Sequence, residues 1–295
     1  MIKDNYLNNL KDKTIKAGVI GYPLTHTLSP KIHNFYLQKF QINGSYQALP
    51  CAPENLLALI NELKSKNYAG FNVTIPFKEK MLEICDQLDD SALEIKAVNT
   101  VVINNEKKLI GYNSDAQGFI ENVFDKAKNL SLKNKNAFVI GAGGAGRAIV
   151  YALLKNNIKN IFITNRNYSK ASKLIEDFAK ISALQNCKII FLDSNQFFDQ
   201  LNLADILVNT TSLGMDNQPP LLIDLAKLKS TTVVCDIVYK PLITNLLSQA
   251  QNNGNPIVTG LGMLIRQALV GFDLWYHKKI IDTENLEELL ISNKI

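Results

Sequence analysis

The chain has 295 residues, of which 46% are hydrophobic and 20% charged, the composition of a globular protein with one or two domains. Its formal net charge of +5 is small for this length, and Lys and Arg do not cluster with interleaved aromatic residues, so the sequence does not indicate nucleic-acid binding. No apolar run reaches the roughly 18 residues of a membrane span, and the polar, acid-containing start is unlike a signal peptide, so we expect a cytoplasmic protein.

The cysteines are few and widely separated, without a C-x-x-C pair or a histidine at zinc-finger spacing. This pattern predicts reduced thiols in the protein core and no metal site. The four residues are Cys51, Cys85, Cys187 and Cys235.

The first hundred residues alternate between strand and helix patterns. A strand is predicted near Ile15–Ile20 and another at Tyr68–Val73, where apolar residues are enriched. Between them, Pro30 and Pro53 each mark the start of a helix, since proline is favoured in the first turn. The pattern predicts a first α/β unit.

A second α/β unit is predicted from Asp115 onward, beginning with a helix over 115–128. Short β-branched runs then alternate with helical patterns such as Tyr168–Lys180, which is typical of a doubly wound parallel sheet. After Gly260 the pattern is helical again. The predicted strands are Ala137–Ile140, Asn160–Thr164, Lys188–Phe191, Asp205–Asn209, Thr232–Cys235 and Pro256–Val258.

A glycine-rich turn follows the first of these strands and precedes a helix, which is the context that a dinucleotide-binding G-x-G-x-x-G motif requires. The first glycine permits a tight turn, the second lets a pyrophosphate approach the backbone, and the third lets the helix pack closely. The helix N-terminus adds N–H donors for the phosphates. The cofactor-binding residues predicted here are Gly141, Ala142, Gly143, Gly144, Ala145 and Gly146.

The residues after the next strand distinguish NADP from NAD. An NAD site usually has an acid there for the ribose hydroxyls, whereas this chain has Asn165, Arg166 and Asn167, with Lys170 one turn later. An arginine can hold a 2′-phosphate through two hydrogen bonds, while a carboxylate would repel it. The sequence therefore predicts NADP (NADPH) as cofactor.

Several further segments are rich in polar residues beside Gly and Pro, and with the glycine-rich turn they resemble the motif set of the shikimate dehydrogenase family. The resemblance extends from about residue 15 to residue 280, in the family's order. The segments are Gly21–Pro30, Asn72–Lys78, Ala97–Thr100, Gly111–Asp115, Asn165–Arg166, Asn209–Gly214 and Gly260–Gln267.

The resemblance implies two α/β domains separated by an active-site cleft. The substrate-binding domain would comprise residues 1–114, completed by the C-terminal helices 259–295, and the Rossmann domain for NADP would comprise residues 115–258. The implied reaction is the reversible, NADPH-dependent reduction of 3-dehydroshikimate to shikimate, in the biosynthesis of chorismate and the aromatic amino acids. The partners are this small-molecule substrate and the cofactor, without nucleic acid or membrane; a homodimer is left open.

The resemblance makes Lys78 and Asp115 the catalytic pair. Hydride addition to a ketone creates an alkoxide, which needs a proton donor or a positive charge, and an ammonium supplies both. A carboxylate would orient that ammonium and bind a substrate hydroxyl.

The family's two hydroxyl residues for the substrate carboxylate correspond to Thr27 and Ser29. Ser29 precedes a proline, which is also the pattern of a helix N-cap. Thr27 departs from the serine that is usual in bacterial members. Its methyl group narrows the site near C1 of the substrate, so we expect a preference for shikimate over the bulkier quinate.

The remaining family positions are polar or small residues around the substrate and cofactor. Thr74, Asn99 and Gln267 correspond to residues that bind the ring hydroxyls, and Tyr239 lies beside the substrate and the nicotinamide. Thr210 and Gly260 correspond to positions near the cofactor. We assign His26 and His33 to loop and helix packing, because their spacing fits no metal motif.

Two alternatives stay open at the level of sequence. The first is a quinate/shikimate dehydrogenase with relaxed use of NAD, which Arg166 disfavours and the Thr27 departure permits. The second is a non-catalytic ligand sensor on the same fold, which would be expected to have lost Lys78 or Asp115.

Overall fold

The computed structural model describes residues 14–24, 27–281, 283 and 285–294, which form two compact α/β units. The first unit contains the described residues up to Ser114 and those from Gln267 onward, and the second runs from Asp115 to Arg266. The sequence predicts a second junction at 258–259, and the contacts within the chain divide between Arg266 and Gln267, inside a continuous helix. The start of that helix packs on the second unit, where a Cβ on Gly260 or Gly262 would clash with Ile237 or Asn122.

The first unit is built on a six-stranded mixed sheet, in the order β2-β1-β3-β5-β6-β4. Strands β1, β2 and β3 are parallel, whereas β5 runs antiparallel to both β3 and β6. Its strands are β1 (Ile15–Gly21), β2 (Gly44–Pro50), β3 (Tyr68–Val73), β4 (Gln87–Leu88), β5 (Thr100–Ile103) and β6 (Leu109–Tyr112). The helices between them are α1 (Ser29–Lys39), α2 (Leu56–Ser65), α3 (Met81–Ile84) and α4 (Asp90–Ile95).

Helices cover both faces of this sheet. Because neighbouring residues of a strand point to opposite faces, one strand can contact helices on both sides. On one face Phe71 of β3 belongs to an apolar cluster with Ile60 of α2 and Met81 of α3. On the other, His33 of α1 stacks on Tyr46 of β2, with 3.9 Å between ring centroids. Burial lowers the pKa of His33 to about 3, so this imidazole is neutral and packs as an aromatic side chain.

The second unit is built on a six-stranded parallel sheet in the order β12-β11-β10-β7-β8-β9, which is the strand order of a dinucleotide-binding Rossmann fold. Its strands are β7 (Asn136–Ile140), β8 (Asn160–Thr164), β9 (Lys188–Phe191), β10 (Ile206–Asn209), β11 (Val233–Asp236) and β12 (Ile257–Val258). Its helices are α5 (Asp115–Lys126), α6 (Gly144–Lys155), α7 (Tyr168–Leu184), α8 (Ser194–Asp199) and α9 (Asn245–Asn252). The helix that both units share is α10 (Gly260–Tyr276), and α11 (Leu286–Ile291) follows in the first unit.

The predicted fold class, two α/β units of which the second is doubly wound, is confirmed. The strand order reverses at β7, which has β8 on one side and β10 on the other. In open α/β sheets, ligands bind outside the carboxyl ends of the strands at such a reversal. The fold therefore places the glycine-rich turn after β7 where a dinucleotide is expected.

The four cysteines are free thiols, and three of them are buried. Within the described residues, no helix combines the length and the apolar character needed to cross a membrane. His26, assigned above to loop packing, lies outside the described residues.

Candidate functional site

The turn that carries Lys78 is attached by backbone hydrogen bonds to the segment that carries Asn99. Val73 N–H donates to Asn99 O at 2.8 Å, and Val98 N–H donates to Lys78 O at 2.8 Å. Between these two bonds the chain turns at Thr74, where Phe77 N–H donates to Thr74 O at 3.0 Å. The end of β3 and the start of β5 thus bring Thr74, Lys78 and Asn99 into one small region of the first unit.

The Asn99 side chain is fixed by buried polar neighbours. Its Oδ1 accepts a hydrogen bond from Ser114 N–H at 2.9 Å and one from the Thr100 hydroxyl at 3.0 Å. Its Nδ2 donates to Ser114 Oγ at 3.0 Å and to Gln267 Oε1 at 3.4 Å. Since Asn99 is only 2% exposed, these bonds determine its orientation.

The polar contacts continue across the sheet away from Asn99. The amide of Asn72 donates to Thr100 Oγ1 at 3.0 Å and to Asn99 O at 3.1 Å. Its Oδ1 accepts the Tyr46 hydroxyl at 2.6 Å, and Ser29 also hydrogen-bonds Tyr46. We call these seven buried residues the polar chain of the first unit: Ser29, Tyr46, Asn72, Asn99, Thr100, Ser114 and Gln267.

Helix α1 begins differently from the N-cap pattern seen in the sequence. Ser29 is its first helical residue, the N-cap position is Leu28, and no side chain caps it. Instead the Thr27 hydroxyl accepts a hydrogen bond from Ser29 N–H at 3.2 Å. The cap interpretation of Ser29 was wrong, because its buried side chain lies in the polar chain instead of turning back to the helix end.

Asp115 lies at the start of the second unit and is 4% exposed. It is the first residue of α5 and follows Ser114 directly in the chain. A carboxylate in the first turn of a helix is favoured by the helix dipole. The Asn99 bonds to Ser114 therefore fix the backbone immediately before Asp115.

In the glycine-rich turn of the second unit, one glycine has open space where a Cβ atom would stand, and two others have none. Gly141 has a φ of +110°, and a Cβ there would lie 2.5 Å from Thr210 Oγ1. A Cβ on Gly146 would lie 2.6 Å from Gly141 O, so the start of α6 packs directly on the turn. At Gly143, the N-cap of α6, a Cβ would have no neighbour within 4 Å. The turn therefore fits a pyrophosphate that approaches the backbone at Gly143.

Thr210 supports the turn from below. Its hydroxyl donates to Ile140 O at 2.8 Å and its backbone N–H donates to the same oxygen at 2.9 Å. The sequence predicts Thr210 near the cofactor, and the structure shows its hydroxyl packed against Gly141 and Gly146.

The segment after β8 joins the glycine-rich turn through Asn165, whose Oδ1 accepts a hydrogen bond from Ala142 N–H at 3.2 Å. Asn167 caps α7 by accepting from Lys170 N–H. Arg166 and Lys170 have exposed side chains, so two cations stand in solvent beside the turn.

Tyr239 and Gly260 lie in other parts of the second unit. Tyr239 is half-buried in the loop after β11. Gly260 starts α10 at a close approach to the backbone of Ile237, which explains the need for glycine.

Sequence reasoning did not single out Tyr46, Asn72, Thr100 or Ser114. Asn72, Thr100 and Ser114 lie inside the polar segments given above, but the sequence does not show that these side chains are buried. Tyr46 gave no local signal, since its partner Asn72 is 26 residues away. Among the described residues, no cluster of three or more His, Cys, Asp or Glu side chains could hold a metal ion.

Two family models match the chain. The model described as "Shikimate dehydrogenase substrate binding domain" matches residues 19–101, and the model described as "Shikimate / quinate 5-dehydrogenase" matches residues 123–227. The first match covers the turn with Lys78 and the second covers the glycine-rich turn.

Similar proteins extend the match to nearly the full chain. The shikimate dehydrogenase (NADP(+)) of Paramagnetospirillum magneticum is 40% identical over 96% of this chain and 100% of its own length. A Thermus thermophilus shikimate 5-dehydrogenase solved with NADP(H) and shikimate has a TM-score of 0.81 at 32% identity, covering 95% of this chain and 99% of that one. A quinate dehydrogenase from Corynebacterium glutamicum solved with NAD has a TM-score of 0.85 at 27% identity, with the same coverage.

The open space at Gly143 leads to a test with a matched control. Gly143→Ala should change the free energy of unfolding by no more than about 1 kcal/mol, because a poorer N-cap is offset by a less flexible unfolded chain. It should weaken dinucleotide binding by on the order of tenfold or more, since the methyl group would stand in the path of the pyrophosphate. Urea unfolding and a titration with NADPH measure the two quantities.

Gly146→Ala is the control, because its Cβ meets protein instead of open space. It should lower the unfolding free energy by about 1–3 kcal/mol, as overpacking does. Unchanged NADPH affinity in Gly143→Ala would show that no phosphate passes over this residue.

Proposed function

The chain belongs to the shikimate dehydrogenase family, and we propose that it reduces 3-dehydroshikimate to shikimate with NADPH, using Lys78 and Asp115 as the catalytic pair. The observation that carries the proposal is the attachment of the Thr74–Lys78 turn to Val98 and Asn99. It fixes the backbone of Lys78 close to that of Asn99, which supports a site where a lysine and polar side chains act together on a polyhydroxylated ketone.

The first unit is proposed to hold the substrate. The carboxylate of the substrate would be bound by the hydroxyls of Thr27 and Ser29 near the start of α1. Its ring hydroxyls would be bound by Thr74, Asn99 and Gln267, the last two of which already hydrogen-bond each other. A ring that lacks a hydroxyl would leave a buried polar group of the site without a hydrogen-bond partner, which costs binding free energy. Such a site would therefore discriminate strongly against that ring.

The reduction requires a hydride and a proton. When bound, NADPH supplies the hydride to the carbonyl carbon and becomes NADP⁺. Lys78 donates the proton to the oxygen at C3, so that ketone becomes alcohol and the lysine is left neutral until it takes up a proton from water. Asp115 orients Lys78 and accepts a hydrogen bond from a substrate hydroxyl. In the direction of oxidation the same lysine removes the hydroxyl proton.

The second unit is proposed to hold the cofactor. The pyrophosphate of the cofactor would lie on the turn from Gly141 to Gly146, which Thr210 supports. Gly260 and Tyr239 would lie toward the nicotinamide. The 2′-phosphate would be bound by Arg166 with support from Asn165, Asn167 and Lys170. The exposure of Arg166 leaves its guanidinium accessible to a ligand.

Among similar proteins, the one from Corynebacterium glutamicum is a quinate dehydrogenase solved in complex with NAD. In this chain the cations after β8 favour NADP, and Thr27 favours the smaller shikimate ring. A cytoplasmic location remains a prediction, and a homodimer stays an open alternative.

Replacing the catalytic lysine should affect chemistry and leave cofactor binding unchanged. Lys78→Ala should lower kcat by on the order of 10²–10⁴, the contribution of a positioned general acid. The measurement is steady-state kinetics with shikimate and NADP⁺, together with a titration of NADPH. Lys80→Ala is the matched control, because Lys80 is an exposed lysine on the same segment, paired with Glu83. A kcat for Lys78→Ala within threefold of the Lys80→Ala value would rule out the assignment.

The arginine after β8 should determine the choice of cofactor. Arg166→Ala should weaken NADPH binding by ~1.5–3 kcal/mol for each charge-assisted hydrogen bond lost, and NADH binding little. Titrations of both cofactors measure this, with Lys173→Ala, an exposed cation one turn beyond Lys170, as control. Equal losses for NADPH and NADH would mean that Arg166 does not contact the 2′-phosphate.

A further inference from the structure

Asp236 is a buried carboxylate that sequence analysis gave no role. It is the last residue of β11 and is 2% exposed. Its Oδ1 accepts hydrogen bonds from Asn209 Nδ2 and from Val238 N–H, each at 3.0 Å. Its Oδ2 accepts the Thr244 hydroxyl at 2.7 Å. One carboxylate thus binds the end of the neighbouring strand and both ends of the loop 237–244, which we call the β11 loop.

Asn209, the last residue of β10, organises the loop that follows it in the same way. Its Oδ1 accepts Thr211 N–H at 3.0 Å and the Thr211 hydroxyl at 2.8 Å, and its Nδ2 also donates to Leu213 O at 3.1 Å. We call residues 210–214 the β10 loop. A further bond, from Asp216 N–H to Lys240 O at 3.0 Å, joins the chain just beyond it to the β11 loop. The Asn209–Asp236 bond is therefore a buried side-chain connection between the two loops, beside the backbone bond from Ile237 N–H to Asn209 O at 3.1 Å.

Both loops lie at the carboxyl edge of the sheet, on the side of β7 opposite to β8. A dinucleotide lies across this edge, with its adenosine half at the end of the second strand of the fold, here β8. Under the proposed function Arg166 binds the 2′-phosphate there, so the nicotinamide half extends over β10 and β11. The inference rests on that function. The β11 loop carries Tyr239, so its position bears on the reacting end of the cofactor.

A carboxylate is a costly choice for a purely structural connection. Burial raises the pKa of Asp236 to about 6, against the three hydrogen bonds that lower it. The group is therefore charged at neutral pH, and its ionisation costs folding stability as the pH rises from its unfolded value near 4 through about 6. An amide could make most of the same bonds without that cost. Costs of this kind are concentrated at functional sites.

The negative charge has no basic partner within the described part of the chain, since its three hydrogen-bond donors are all neutral. The adjacent thiol of Cys235 is neutral as well, because burial raises its pKa. The elements α9, β10 and β12 carry no ionisable side chain, and α5 presents Phe119 and Asn122 to this end of β11. The remaining ionisable groups nearby belong to the loop segments: Asp216, Tyr239 and Lys240.

We propose that Asp236 is a positioning residue for the nicotinamide half of the site. It fixes the β11 loop, which carries Tyr239, to the β10 loop, and it places an uncompensated negative charge beneath the reacting ring. The nicotinamide ring is cationic in NADP⁺ and neutral in NADPH. A fixed anion at this edge therefore favours the oxidised cofactor, and the preference disappears when Asp236 takes up a proton.

Two substitutions separate the charge from the connection. Asp236→Asn keeps an oxygen for Asn209 and Val238 but removes the charge, whereas Asp236→Ala removes every acceptor. Thr232→Val is the matched control: Thr232 is equally buried, immediately precedes the opposite end of β11, and donates to Ala204 O at 2.7 Å. All variants are purified as full chains, and circular dichroism establishes that they fold.

The charge is tested by the ratio of the NADPH and NADP⁺ dissociation constants, in which effects on the shared phosphates cancel. Asp236→Asn should weaken NADP⁺ relative to NADPH by about three- to tenfold, the size expected for a charge roughly 10 Å away at intermediate dielectric. In the unaltered protein the ratio should shift by the same factor between about pH 8 and about pH 5, around the Asp236 pKa of about 6, and stay flat in Asp236→Asn. An unchanged ratio in Asp236→Asn would overturn the charge role.

The connection is tested by turnover. Asp236→Ala should lower kcat/KM by about ten- to a hundredfold, as a displaced reacting group does, while Thr232→Val leaves it unchanged. Should Asp236→Ala fail to fold, Thr244→Val removes the bond to Oδ2 together with the N-cap of α9, and Thr244→Ser, which keeps both bonds, is its control. Thr244→Val should lower kcat/KM by a smaller factor, and Thr244→Ser should leave it unchanged. A folded Asp236→Ala or Thr244→Val variant with the kcat/KM of the unaltered protein would contradict the positioning role. Failure of the proposed function would look different, since the unaltered protein would then neither bind NADPH nor oxidise shikimate.

Discussion

The substrate half of the site depends on the pair of backbone hydrogen bonds that joins the Thr74–Lys78 turn to Val98 and Asn99. Each of these bonds is 2.8 Å long; the first continues the antiparallel pairing of β3 with β5, and the second holds the turn that follows β3. An ammonium on a flexible four-carbon stem contributes to catalysis only if its stem begins at a fixed point. The backbone bonds beside the antiparallel pairing supply that point, and they also fix Asn99, the residue that immediately precedes β5.

The polar chain from Ser29 to Gln267 extends this constraint through the interior of the first unit. Its members are buried, and they satisfy one another across strands that are distant in sequence, as the bonds from Tyr46 to Asn72 and from Asn72 to Thr100 illustrate. A fully satisfied buried network rigidifies the groups at its end, whereas one unpaired member would cost free energy. The second unit uses the same device at its sheet edge, where Asn209 and Asp236 satisfy loop amides that apolar residues would leave unpaired.

The parallel sheet could be predicted from the sequence because its strands are buried on both faces and read as short apolar runs. In the first unit, β2 was missed because only Tyr46 in it is buried and it ends in proline. Strands β5 and β6 were missed because they overlap the polar segments Ala97–Thr100 and Gly111–Asp115. The glycine-rich turn could be assigned glycine by glycine, since each needs a local geometry. The role of Asp236 could not be seen, because Asn209 is 27 residues away and burial is what makes the carboxylate unusual.

This chain is a dehydrogenase that transfers hydride between shikimate and NADP⁺. The most direct measurement is the rate at which the reduced cofactor, NADPH or NADH, forms, followed by its absorbance, with shikimate or quinate as substrate and NADP⁺ or NAD⁺ as cofactor. We expect the highest kcat/KM for shikimate with NADP⁺, and a lower kcat/KM when either the substrate or the cofactor is replaced. A higher kcat/KM for quinate or for NAD⁺, or no NADPH formation from shikimate, would contradict this expectation.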